Sequence, residues 1–595
     1  MTSTKEAVLV RVLVIGEAGL DQVREQLATL GLRDATAVSP AAVDQLTALT
    51  GTGEPVLLVD AGWVGHTHAL RLVGTDPRPG VRVAAGLLAA SPDHLDDLLA
   101  AARQAGRLTP DALADTLRAD HVTLIEPVNG SLVSAVATDP AHRAALADER
   151  DGVDEEALRL AGAVKAHDGF FTTHFVSPYS RYLARWFARL GWRPNHVTML
   201  SMLVALLAAA LCATGQRWGY VAGAVLLQAS FTLDCVDGQL ARYTLDFSRV
   251  GAWLDATFDR AKEYALFAGL AIGSARTGTD VWLLAGAAMS LQTVRHSLDF
   301  AFAAASDPTA RSTSAARLSS RLDAVGWTVW ARRMVILPIG ERWALISVLV
   351  ALTSPRTTFV VLLVAGTLAG AYSLGGRVLR SRGLATSPQA ASRLRAMADG
   401  GEPARLSAAT RLGTLPASPL ALAGALALVA GLVATGTAGD AGVVLLVGAL
   451  GYVVLAGSGS AGRFAGPLGW LVVPLVRASE YGATLALTAV IAPEALPAAF
   501  GLLAAVAYHH YDTVYRLRGD AAPPPRLVVA LSGGHDGRVL LLCALALAGA
   551  ATLRPGLVVV AVFIAAVVTI ESVRTWTRPD TARAGRPLDD AGDLA

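Results

Sequence analysis

The sequence predicts an α-helical polytopic membrane protein with an N-terminal cytosolic α/β domain. Three observations predict it. Of the 595 residues 53% are hydrophobic and only 16% are charged; the mean hydropathy is +0.47; and beyond residue 190 the apolar residues gather into runs of about twenty, the length that crosses a bilayer as a helix. A string of soluble domains is excluded by this composition. The net charge of +2 comes from basic residues spread along the chain, so nucleic acid is not suggested as a partner. Cys212, Cys235 and Cys543 are isolated in or beside apolar segments, which leaves no disulfide framework and no Cys-based metal site.

Residues 1–165 carry the α/β expectation. A β-branched run from Val8 to Gly16 reads as a strand, a helical pattern follows from Leu20 to Leu30, and strand patterns recur at Pro55–Asp60 and Val81–Ala85. Two further strand-like pieces, His121–Glu126 and Gly130–Val136, precede a polar helical stretch from Ala141 to Val164. Met1–Val10 lacks the basic and apolar regions of an export signal, so this portion is expected in the cytosol.

From residue 166 to about 380 a membrane core is expected. An amphipathic helix, Ser177–Leu190, repeats Arg181, Arg185 and Arg189 opposite Leu183, Trp186 and Phe187, as suits a membrane surface. Candidate spans follow at 196–214, 217–235, 251–273, 279–304, 341–354 and 357–376. An arginine-rich linker, 381–415, leads to a second polytopic block, 416–595, with spans at 417–436, 440–459, 479–494, 496–514, 538–553 and 555–573 and a polar C-terminal tail. Arginines cluster on one side of this arrangement, which puts both termini in the cytosol by the positive-inside rule.

Four aspartates sit near membrane depth. Asp234 and Asp237 are three apart at the end of one span, Asp255 and Asp259 four apart at the start of the next, so each pair shares a helix face. An ionised aspartate mid-bilayer costs about 3 kcal/mol, so positive charge must lie between them. Oxygen-only ligation fits a hard cation, Mg²⁺ or Mn²⁺, as one ion or a pair. Gly238 and Gly251 leave room for a ligand, and Arg242 suits phosphate oxygens. This is a site for a pyrophosphate bond, with a carboxylate free to take a proton. The competing readings are an intramembrane charge network with Arg242, Arg249 and Arg260, and an ion-coupled transporter.

The run Asp234-x-x-Asp237-Gly238-x-x-Ala241-Arg242, eight residues, Gly251-x-x-x-Asp255-x-x-x-Asp259 resembles the defining motif of the CDP-alcohol phosphotransferases. The resemblance implies a six-helix core, commonly a homodimer, that passes a phosphoryl-alcohol group from a CDP-alcohol to a hydroxyl acceptor, lipid or polyol phosphate, with release of CMP. It implies that Asp234, Asp237 and Asp255 bind two metal ions, that Asp259 lies near the metal and is the catalytic base, and that Gly238, Ala241, Arg242 and Gly251 line the cytidine diphosphate.

Pro194-Asn195-His196-Val197-Thr198 resembles the family segment opening the first span; it equally reads as a helix start. Lys165-Ala-His-Asp168-Gly169 and Arg332-Arg333 with Gly340-Glu341-Arg342 resemble more loosely the branch that makes inositol phosphodiesters, including di-inositol phosphate synthases. Asn195, Thr198, Lys165, Arg332, Arg333 and Arg342 are thus candidate acceptor or nucleotide contacts, and the three arginines read equally as topology charges. In that branch an N-terminal nucleotidyltransferase domain is common. Here residues 10–25 hold no Gly-rich loop with a basic residue for a triphosphate, so a degenerate domain is expected. The other class of function is a non-catalytic transport or scaffold protein that retains the core.

The second block has polar residues at its span ends: Glu480-Tyr481, His509-His510-Tyr511-Asp512, Arg516, and His535-Asp536-Gly537-Arg538. They could bind metal or carry protons; the expected reading is an interfacial belt with the charges in water.

Overall fold

The computed structural model describes residues 10–17, 19–32, 34–43, 46, 54–128, 131–165, 168–306, 336–384, 386–434, 441–519 and 521–578. Arg332 and Arg333 lie outside them.

Among the described residues the front portion has eight strands: β1 (Arg11–Ile15), β2 (Ala35–Val38), β3 (Val56–Asp60), β4 (Trp63–Gly65), β5 (Val81–Ala84), β6 (Leu87–Ala90), β7 (Leu124–Ile125) and β8 (Ser134–Val136). Six form one sheet in the order β2-β1-β3-β6-β5-β7, and β4 pairs with β8. The sheet is mixed: β1 runs parallel to β2 and β3, whereas β6 runs antiparallel to β3 and β5. Val12 and Val14 face one core with Leu57, Val59 and Leu70, while Leu13 and Ile15 face another with Leu58, Leu98 and Leu113. Burial of both faces explains the unbroken apolar run of β1. Its helices are α1 (Leu20–Thr29), α2 (Thr67–Gly74), α3 (Leu95–Ala105), α4 (Pro110–Ala119), α5 (Pro140–Asp151) and α6 (Glu155–Gly162). The expected single helical stretch 141–164 is two helices, because Asp139 and Asp154 each cap a new N-terminus.

Helix α7 (Ser177–Arg189) packs on the core, with Trp186 exposed. Then come α8 (Pro194–Cys212), α9 (Arg217–Thr244), α10 (Arg249–Arg276), α11 (Trp282–Ala305), α12 (Ile339–Leu352) and α13 (Pro355–Arg380). Two short helices, α14 (Pro388–Ala398) and α15 (Glu402–Ala408), lie in the linker. The second block holds α16 (Ala417–Ala434), α17 (Ala441–Ala461), α18 (Val472–Ile491), α19 (Leu496–Arg518), α20 (Arg526–Ser532), α21 (Gly534–Leu547) and α22 (Ala550–Thr577).

Every expected span thus contains a helix. Among the described residues six stretches are long and apolar enough to cross a membrane: Pro194–Cys212, Arg217–Thr244, Pro355–Arg380, Gly442–Ala461, Arg526–Leu547 and Ala550–Thr577. The chain is a multi-pass membrane protein. Helix α10 is long enough but holds Asp255, Asp259, Arg260, Lys262 and Glu263, and α12 has only 14 residues. Functional charge in one case and length in the other separate these helices from simple spans.

The belt reading of the second block is corrected. Glu480, His509, His510, Asp512, Arg516, His535, Asp536 and Arg538 are all buried. Arg538 Nη2 lies 2.8 Å from Asp399 and its Nε 2.5 Å from Glu480, and Arg477 closes on Glu480 at 3.3 Å. His509 and His510 contact the same Asp399 at 3.1 and 3.4 Å. Asp536 accepts from the Gly401 and Ala404 amides at 2.7 and 2.6 Å. The physical reason is mutual neutralisation: the linker dips between α19 and α21, and its Asp399 supplies the charge that lets these groups leave water.

Candidate active site

The two halves of the motif meet because the chain turns sharply between α9 and α10. Leu245 takes a left-handed conformation (φ 53°) that ends α9, and the Ser248 hydroxyl accepts from the Gly251 amide at 2.9 Å to start α10. Asp234 and Asp237 therefore face Asp255 across a short turn. The three offer carboxylate oxygens that all lie within 4.8 Å of one another, Asp237 buried and the other two half-buried.

Asp259 stands beside this trio. Lys262, fully buried one turn further along α10, is bonded to Asp234 and sits 4.0 Å from Asp259 Oδ1. Arg260 Nη2 is 3.8 Å from Asp259 Oδ2. Part of the charge-network expectation is thus met by Arg260, and a larger part by Lys262, which sequence reasoning passed over. Its signal was available: Lys262 follows Asp255 by seven residues and Asp259 by three, so it shares their helix face.

Helix α8 supplies the third wall. The Thr198 hydroxyl donates to Asp237 Oδ2 at 2.6 Å. A methyl group at Gly251 would come within 2.5 Å of Asn195 Oδ1 and 2.7 Å of Ser248 Oγ, so glycine here lets both side chains keep their present positions. Asn195 and Thr198, read equally as a helix start, are both brought to the site. Thr198 is within the helix and Pro194 begins it, so the two readings coexist.

Arg242 Nε donates to the Ala163 carbonyl at 2.6 Å, and its guanidinium nitrogens lie 3.5 Å from where a Gly238 side chain would begin. Gly238 and Ala241 are half-buried on the same stretch of α9. Lys165 is half-buried two residues beyond Ala163. Arg342 is not open to solvent: it is buried, its Nε 3.0 Å from Glu263, and Glu263 in turn lies 3.2 Å from Arg260. Glu341 of the same segment accepts from the Phe171 amide at 3.2 Å. Of the loosely matching residues, then, Arg342 joins a buried ion chain behind Asp259.

An all-oxygen donor set of three carboxylates drawn from two helices fits a hard divalent cation. Thr198 fixes the rotamer of Asp237, and Lys262 and Arg260 flank the fourth carboxylate. The arrangement can hold a cation against an anionic ligand and leaves a carboxylate beside it.

Residues 192–355 match the family model described as CDP-alcohol phosphatidyltransferase, and residues 388–595 match a family of unknown function (DUF5941). The chain is 34% identical over 131 residues to a bifunctional IPC transferase and DIPP synthase of Rubrobacter xylanophilus, covering 22% of this chain and 29% of that protein. It is 37% identical over 86 residues to an archaetidylinositol phosphate synthase of Pyrococcus horikoshii, covering 14% and 44%. It is 39% identical over 92 residues to a phosphatidylinositol phosphate synthase of Mycolicibacterium smegmatis, covering 15% and 40%. The chain spans less than half the length of each of these relatives.

Proposed function

We infer that this membrane protein, whose residues 192–355 belong to the CDP-alcohol phosphatidyltransferase family, transfers a phosphoryl-alcohol group from a CDP-alcohol to a hydroxyl acceptor and releases CMP. The observation that carries the reading is the trio Asp234, Asp237 and Asp255 with Asp259 beside it. Asp234, Asp237 and Asp255 would hold Mg²⁺ or Mn²⁺, with Asp259 completing the shell of a second ion. Bound there, the metal supplies positive charge to the pyrophosphate oxygens.

The residues of the chain do the rest. Thr198 orients Asp237, and Arg242 offers a planar cation to the diphosphate. Gly238, Ala241 and Gly251 leave the cytidine diphosphate room along α9 and α10. Asp259 takes the proton of the acceptor hydroxyl, whose oxygen forms a bond to the β-phosphorus. The bond from that phosphorus to the bridging oxygen breaks, and CMP leaves with the electron pair.

The names of the relatives support an inositol-bearing acceptor, used in phospholipid or inositol-phosphodiester synthesis. The donor is then CDP-diacylglycerol or CDP-inositol, and the active site faces the cytosol with both termini. The protein works as a homodimer in this reading. Purified protein offered each donor with inositol phosphate, glycerol phosphate and lipid acceptors, in Mg²⁺ or Mn²⁺, should release CMP with one pair. No release with any pair, from folded protein, would favour the non-catalytic scaffold.

A further inference from the structure

The second block, matched only to a family of unknown function, reaches the motif helix directly. Val250, Leu254 and Ala256, which interleave with Gly251 and Asp255, pack on a buried cluster of Trp253 with Tyr511, Tyr515 and Trp576. Three of those four aromatic residues come from α19 and α22. Trp576 stacks on Trp253 with ring centres 6.2 Å apart, and its Nε1 donates to Asp512 at 2.8 Å.

Tyr511 contacts the arginine next to Asp259. It is 4% exposed. Its hydroxyl is bonded to His296 Nδ1 on α11, and Phe300 meets its ring edge-on at 6.4 Å. The Arg260 guanidinium lies over the face of that ring, 5.4 Å from its centre. Arg260 is thereby shared among the ring, Glu263 at 3.2 Å and Asp259 at 3.8 Å. The last distance is an ionic contact, too long for a hydrogen bond. Without the ring, Glu263 and Asp259 are the anionic groups left to Arg260, and a closer approach to Asp259 would occupy the oxygen that takes the proton in the proposed step.

We propose that Tyr511 is a positioning residue of the phosphotransfer site: its ring holds Arg260 off Asp259, and through it the second block controls turnover by the core. The inference rests on the phosphotransferase reading. It gives the block a role in which α19 is a wall of the active site.

The test uses the full-length protein and CMP release. Tyr511→Leu should lower kcat by about fivefold to thirtyfold, the range a buried cation–π contact spans, with KM for the CDP-alcohol within about twofold. Tyr511→Phe keeps the ring and should restore kcat to within about threefold of the wild type. Equal kcat in all three proteins, or equal loss in Leu and Phe variants, would overturn the proposal. If Tyr511→Leu does not fold, Tyr511→Met fills similar volume without a π face and is judged by the same criteria. A wild type that releases no CMP from any donor defeats the phosphotransferase reading instead. In that case the thermal unfolding of Tyr511→Leu, Arg260→Gln and the double variant decides: non-additive Tm shifts support the contact, and additive ones overturn it.

Discussion

Asp259 and Thr198 carry different parts of the account and should fail differently. Asp259→Asn keeps the shape of the side chain but cannot take a proton. Turnover should fall by about 10²-fold or more, while the protein still reaches the membrane fraction in normal amount. Normal turnover in that variant would remove Asp259 as the base. Thr198→Val deletes one hydrogen bond to Asp237, so kcat should fall by roughly tenfold, the equivalent of one buried bond of about 1 kcal/mol or somewhat more. Measuring the divalent-cation concentration for half-maximal rate checks the cause: it should rise, because the ligand is no longer oriented. The four aspartates were legible as a group because carboxylates at helical spacing are too costly to keep in an apolar chain without positive charge among them. Lys262 was not, because a single lysine among spans looks like a flanking charge until its helix face is drawn. Arg260 was seen only as a counter-ion. Its stand-off from Asp259 depends on Tyr511, 251 positions further along the chain, and no local pattern joins the two.

At the scale of the element, the junction of α8, α9 and α10 holds the site. Gly251→Ala would push a methyl group onto Asn195 and Ser248. The Asn195 side chain and the Ser248 cap at the start of α10 must then shift, four residues from Asp255. Initial rates should drop with KM for the CDP-alcohol raised, and a donor-binding measurement such as calorimetry should show the weaker affinity directly. An unchanged affinity would mean that the closeness of Asn195 to Gly251 has no part in the donor site. The spans were readable as apolar runs, yet their ends were not: α9 continues nine residues past the expected 235, since a polar helix end beyond the bilayer leaves no hydropathy signal. Strands β2, β4 and β6 were not foreseen, and β6 is a plain apolar run of four residues that periodicity cannot assign.

Across the whole molecule, the front domain grips the core at the residue after the motif arginine. Arg71 Nη2 and Arg159 Nη2 donate to the Tyr243 carbonyl at 2.8 and 3.0 Å, and Arg159 lies 3.8 Å over the Tyr243 ring. His68 is packed beside these arginines. Burial first, and then Arg71 and Arg159, pull its pKa down from 6.5 to about 4. A neutral folded-state histidine contributes stability that is complete above pH 6.5 and is lost as pH falls towards 4. Protection factors of the amides in α2 and α6, which divide out the intrinsic slowing of exchange at lower pH, should therefore fall as pH falls from about 6.5 to about 4.5, and His68→Gln should flatten that dependence. An identical pH dependence in the variant would exclude His68 as its source. The changes of composition along the chain were legible, but the buried ion network of the second block was not. Its partners, Asp399 with His509, His510 and Arg538, come together only when the linker folds inward.

Metal binding by the aspartate trio for phosphoryl transfer is tested most directly by CMP release with and without divalent cation in the wild type and in Asp255→Asn. The wild type should show release that EDTA abolishes and Mg²⁺ or Mn²⁺ restores, and Asp255→Asn should show none at any cation concentration. Metal-dependent release of equal rate from Asp255→Asn would contradict it.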